Sequence, residues 1–236
     1  MYPLWSIGYS VDEIKAAVEV AEFYDTYVLT HAYTDETVVM ALDAGVKVIE
    51  HGQMVTEKTV KRMAKEGIFW SLNTAGFSPI LFEHPNFAHG TPSGEKLAIA
   101  HDQSKDLIKL VKKYKPKLVH NVDSVLMTLG QARAHRDFEK YQFAEWFGNH
   151  AMLVSATSTG GELAQLTGQR NPYPGKLGVI EPGAYADILI VDGNPLEDVA
   201  ALGAQPKWFD AEPREEGLET IRVIMKGGKF YKNTLE

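Results

Sequence analysis

The sequence predicts an α/β fold: a parallel sheet covered by helices, followed by a small β element. Three observations carry this. Between residues 10 and 167, short strand-like runs alternate with stretches of helical periodicity. Those strand runs are apolar throughout rather than alternating apolar with polar, the pattern of strands buried on both faces. After residue 171 the texture changes to turns, one strong strand and a hairpin signal.

The elements follow in order. Ser10 and Glu13 form a capping box, and Ile14, Ala17, Val18 and Ala21 recur at helical spacing up to about Tyr24. Thr26–His31 (TYVLTH) reads as a buried strand. A helix opened by Thr34, Asp35 and Glu36 ends at Gly45, the place of a C-terminal glycine cap. Val46–His51 is a second strand, Thr56–Gly67 a third helix and Ile68–Leu72 a third strand. Residues 73–100, rich in Pro, Gly, Asn and Ser, read as a long irregular loop of the functional kind. A helix over about His101–Tyr114 and a fourth strand over Lys117–Asp123 follow. Residues 125–135 read as a loop, with helices expected at about 137–147 and 150–167. Ala186–Gly193 is a strand, and Thr220–Tyr231 reads as two strands around Gly227–Gly228.

Composition removes several function classes. The 236 residues are 44% hydrophobic and 23% charged, enough apolar surface to offset chain entropy, so a disordered chain is excluded. Basic residues number 24 and acidic residues 31, a net charge of −7, which disfavours a nucleic-acid partner that needs a basic face. The absence of cysteine excludes thiolate metal sites and cysteine nucleophiles. No run approaches the ~18–20 apolar residues of a membrane helix, so no membrane partner is expected. The opening MYPLWSIGYS has no signal-peptide pattern, which leaves the cytoplasm as the default compartment.

Three expected strands end in a side chain able to hold a metal: His31, His51 and Asp123. The two histidines are 20 residues apart, about one βα unit, so they should sit at the same edge of neighbouring parallel strands. In parallel α/β folds that C-terminal edge carries the active site. Imidazole nitrogen with carboxylate oxygen suits zinc, and also manganese, iron or nickel. A single histidine ending a strand is more often a structural residue than a ligand; it is the pair plus the aspartate that points to a metal. His120 could face the site from within the fourth strand or lie in the core. His84 and His89 in the long loop could contact substrate or solvent, and Tyr33 could donate a hydrogen bond to substrate or serve packing. His101, His135 and His150 read as surface or capping residues. Glu50 is expected to point away from the site. No nucleophile elbow and no phosphate-binding glycine loop occurs.

The segments Thr30–Tyr33 (THAY), Val48–Gly52 (VIEHG) and Asn121–Asp123 (NVD) together resemble the metal-dependent amidohydrolase superfamily, nearest its imidazolonepropionase-like and Xaa-Pro or Xaa-Arg dipeptidase-like members. Ala156–Gly168 followed by Gly175–Asp198 is similar to the family's C-terminal signature, and Val223–Tyr231 to the last hairpin of its small β-sandwich. The resemblance implies that His31 and His51 are the metal-binding histidines of barrel strands five and six. It implies that Asp123 is the strand-eight aspartate that binds metal and accepts a proton from the attacking water. It also implies a divalent cofactor, zinc first, and hydrolysis of an amide-type C–N bond in a small-molecule substrate such as a dipeptide or cyclic amide.

One family feature is missing: no H-x-H pair occurs anywhere in the sequence. A full (β/α)8 barrel takes ~250 residues, whereas about four βα units are visible. The expectation is therefore the C-terminal half of such a barrel over residues 1–170, plus part of the β-sandwich over 171–236. A half-barrel leaves sheet edges open, which implies self-association or pairing with an N-terminal half. The alternative is a non-catalytic remnant or subunit that keeps the fold without a complete metal centre.

Overall fold

The computed structural model describes residues 6–124, 127–173, 175–209, 211 and 217–235. The chain divides into two compact units: residues up to Val119 with Gln165–Asn171, and His120–Ala164 with Pro172 onward.

The first unit alternates helix and strand: α1 (Val11–Phe23), β1 (Leu29–Thr34), α2 (Asp35–Asp43), β2 (Val48–Met54), α3 (Glu57–Glu66), β3 (Phe69–Ser71), α4 (Pro92–Tyr114) and β4 (Lys117–Leu118). The four strands form one parallel sheet in the order β1-β2-β3-β4. The helices start and stop where their caps dictate. Ser10 Oγ accepts from Glu13 N–H while the Glu13 carboxylate accepts from Ser10 N–H, which holds the Glu13 carboxyl below its usual range. Thr34 caps α2, and Gly67, in the left-handed region at φ 68°, ends α3. Val38, Ile49, Val60, Met63, Trp70 and Phe77 are fully buried and form the core between sheet and helices. By contrast α1 buries none of its residues, and Val20 and Phe23 stay exposed.

Several expected boundaries move. The first strand begins at Leu29, not Thr26, and runs past His31 to Thr34; the second runs past His51 to Met54. Neither histidine therefore ends its strand. The fourth strand has only two residues, so His120 and Asp123 lie beyond it in an irregular segment. The 73–100 loop is shorter than expected: Thr91 caps α4 by accepting from Gly94 N–H, with Pro92 in the first turn, so the helix starts nine residues before His101. Within 75–83 the chain coils into two short 3₁₀ turns.

The second unit holds α5 (Leu129–Phe147), α6 (Asn149–Ala156), most of α7 (Ser158–Gln165) and a three-stranded antiparallel sheet of β5 (Ile188–Val191), β6 (Ile221–Lys226) and β7 (Lys229–Asn233), ordered β5-β6-β7. The expected loop at 125–135 is mostly helix, because Thr128 and Gln131 make a capping box that starts α5. Val125 and Leu126 of that loop lie outside the described residues. The single helix expected over 150–167 breaks at Thr157, whose φ −121°, ψ −90° is not helical.

Two glycines explain the texture of the tail motif. A Cβ on Gly161 would stand 2.1 Å from the Leu177 carbonyl oxygen, and one on Gly178 2.1 Å from that of Thr157. The helical segment and the turn-rich segment thus approach backbone to backbone, which only glycine permits. Among the described residues no helix is long and apolar enough to cross a membrane.

Candidate metal centre

The centre is built where β1 meets β2. His31 Nδ1 and His51 Nε2 are 2.7 Å apart, one nitrogen donating to the other. Tyr33 stacks on the His51 ring at 4.5 Å between centroids and 9° between planes. His31 and Tyr33 are exposed, whereas His51 is buried.

Strand register makes this meeting unexpected. His31 pairs with Glu50, so Glu50 shares the His31 face rather than pointing away as expected, and Ala32 pairs with His51. Paired residues of neighbouring strands share a face, and successive residues alternate faces. A regular β2 would therefore send His51 to the Ala32 face, away from His31. The register then slips: Ala32 pairs with His51 but Thr34 with Met54, so β2 carries an extra residue. At that bulge His51 has φ 72° and Gly52 φ 67°. A histidine in the left-handed region costs about 1–2 kcal/mol, and such strain concentrates at functional sites. The bulge re-aims the imidazole.

Two neighbours belong to the same strand ends. Gln53 in the bulge and Asn73 just beyond β3 are buried, and Gln53 Oε1 and Asn73 Nδ2 lack a hydrogen-bond partner among the described residues. The sequence marks neither, since an amide beyond an apolar strand carries no metal-ligand signature. Asn73 Oδ1 accepts from Gly76 N–H.

Of the other predicted residues, Asp123, His120 and His135 belong to the second unit and His84, His89 and His101 to the first. Asp123 is an exposed residue of the second unit, next to Ser124, whose Oγ lies 3.1 Å from His135 Nδ1. His135 is not a surface residue: it is 2% exposed and stacks on Trp208 at 4.0 Å. Burial pushes its imidazole down to about 4, with the Asp123 charge pulling the other way. His120 is pushed down to about 4 by burial and by Lys140, and its Nδ1 lacks a partner among the described residues. It borders a cavity of about 510 Å³ with Arg136, Lys140 and Lys232, all within the second unit. His84 accepts from Asn86 N–H, and exposed His89 stacks on Phe82 at 4.1 Å. His101, expected at the surface, is half-buried and donates from Nδ1 to the Phe77 carbonyl at 2.7 Å. Among the described residues no group of three or more His, Asp or Glu side chains gathers to hold a metal ion.

Residues 1–126 match the sequence model of the Amidohydrolase family. The chain belongs to the amidohydrolase family. Its fold corresponds to the C-terminal part of amidohydrolase barrels. A prolidase solved with N-methylphosphonate-L-proline is 29% identical with a TM-score of 0.77, over 98% of this chain and 51% of that one. A second solved amidohydrolase is 31% identical with a TM-score of 0.76, over 98% and 50%. The ochratoxinase of Aspergillus niger is 25% identical over 224 residues, 95% of this chain and 42% of that protein. The chain thus spans about half the length of the relatives it matches.

Members of the amidohydrolase family generally use divalent metals. The donors at β1 and β2 suit such an ion in kind: two imidazole nitrogens converge from neighbouring strands, an ion would replace the proton they share at 2.7 Å, with the rings parting to admit it, and each ring has a second nitrogen able to carry a proton.

Proposed function

We propose that this chain supplies part of the metal centre of an amidohydrolase that cleaves an amide-type C–N bond in a small substrate of the dipeptide or cyclic-amide class. The observation that carries the reading is the 2.7 Å approach of His31 Nδ1 to His51 Nε2 across a strained bulge. In this reading His31 binds through Nδ1 and His51 through Nε2, with their protons on His31 Nε2 and His51 Nδ1. A bound divalent ion, zinc first, supplies Lewis acidity that polarises a carbonyl oxygen and acidifies water. Asp123 is the carboxylate assigned to accept the proton of the attacking water and deliver it to the leaving nitrogen. Tyr33, stacked on His51 and partly exposed, is the residue that would orient substrate in this reading, with His84, His89 and His120 as further candidates. Similarity to a prolidase that takes a proline phosphonate supports the dipeptide class.

A second reading has its own support. Only two imidazoles gather among the described residues, which suits a subunit whose centre is completed by a partner half, or a remnant without activity. The exposed apolar side chains of α1 and the exposed Leu29 on edge strand β1 favour pairing with another chain or a second copy.

The test is zinc content by elemental analysis of the purified chain and of a His31→Ala, His51→Ala double variant. The expected result is zinc in the first that is lost in the second, followed by hydrolysis in a panel of Xaa-Pro dipeptides and cyclic amides. Zinc binding unchanged in the double variant refutes the centre. Zinc without hydrolysis favours the subunit reading.

A further inference from the structure

Trp70 sits behind the bulge that turns His51. It pairs with Ile49 in the sheet, so its side chain lies on the face where a regular strand would have put His51. It is completely buried. Its indole Nε1–H donates to the His51 carbonyl at 2.7 Å. The next residue is Gly52, where a Cβ would stand 2.8 Å from Trp70 Nε1. The indole therefore occupies the space vacated by His51, donates to its carbonyl, and packs where Gly52 lacks a side chain.

We propose that Trp70 is a positioning residue for the His31–His51 pair. Its ring and N–H hold the left-handed turn at His51–Gly52, and that turn keeps the His51 imidazole on the His31 face. Without the indole N–H, the His51 carbonyl loses its 2.7 Å bond inside the core, and the strand relaxes toward regular alternation. The imidazole then leaves His31. The metal arm of the test rests on the function proposed above; the ring-contact arm does not.

The experiment uses histidine-labelled full chain without metal, and then with zinc. Nuclear Overhauser contacts between the His31 and His51 rings, whose centroids are 4.9 Å apart, are read by NMR. Zinc affinity is read by competition with a chelating dye. The variants are Trp70→Phe, which removes the N–H, and Gly52→Ala, which places a methyl against the indole. Phe77→Leu, completely buried in the same core, is the packing control.

The expected result is loss of the ring contact in Trp70→Phe and Gly52→Ala, with zinc affinity about 10–100-fold weaker, the range typical of groups that orient metal-binding histidines. Phe77→Leu should lower thermal stability and leave both readouts unchanged. Retention of the contact in both variants overturns the role, as does its absence in the parent chain or its loss in Phe77→Leu. If Trp70→Phe does not fold, Gly52→Ala decides. If the parent binds no zinc but shows the contact, the proposed function fails while the positioning role is still judged by the contact.

Discussion

Acid should unfold the second unit through two histidines that the fold keeps neutral. Burial, with Lys140 nearby, pushes His120 down to about 4, and burial pushes His135 down to about 4 against the pull of Asp123. In the unfolded chain each titrates near 6.5. Between these values the unfolded state binds protons that the native state refuses, so stability falls as pH falls. The loss begins near pH 6.5 and is complete below about pH 4. For one histidine with those two values, going from pH 7 to pH 5 removes about 2 kcal/mol, and the pair about 4 kcal/mol. That is a large part of the ~5–15 kcal/mol holding a domain together. The assay is urea unfolding at pH 7 and pH 5 for the parent chain, His120→Gln, His135→Gln and the double variant. Tryptophan emission should follow it, because Trp208 stacks on His135. Each single variant should flatten the difference between the two pH values by about 2 kcal/mol. The comparison of differences cancels the carboxylates common to all four proteins. Equal pH dependence in the parent and the double variant would refute the reasoning.

Two further outcomes are expected. Gly161→Ala pushes a methyl to 2.1 Å from the Leu177 carbonyl, whereas at Gly160 the nearest atom is 3.7 Å away. Calorimetry should find Gly161→Ala destabilised by about 1–3 kcal/mol and Gly160→Ala unchanged or slightly stabilised; equal melting temperatures would contradict the close approach. Light scattering across a concentration series should give a mass that rises above the monomer, as the exposed edge β1 and the uncovered α1 lead us to propose, and a constant monomer mass would count against pairing.

Local chemistry was enough for much of this fold. Ser10 with Glu13, Thr34 and Gly67 act over one helical turn, so most ends of the first three helices are readable from neighbours in sequence. Runs rich in β-branched and aromatic residues marked the three leading strands, although β1, expected to be buried, is largely exposed, and Gly227–Gly228 marked the β6–β7 turn. The start of α4 was present in Thr91–Pro92 and that of α5 in Thr128–Gln131, but glycine- and proline-rich surroundings masked the first, and the second sits in a stretch without clear helical period.

The choice of His31 and His51 also came from the sequence, because chemistry-bearing side chains one βα unit apart must lie on neighbouring parallel strands. How they meet could not be read there. Their register puts them on opposite faces, and a bulge of one residue, braced by an indole 19 positions away, turns one imidazole onto the other. Nor does the pattern of residues around His135 announce its burial, which depends on Trp208, 73 positions later in the chain. Caps and periodicity are energies between near neighbours and are written locally. Strand register, bulges and the burial of single polar groups are energies between distant residues, and only the folded chain brings those residues together.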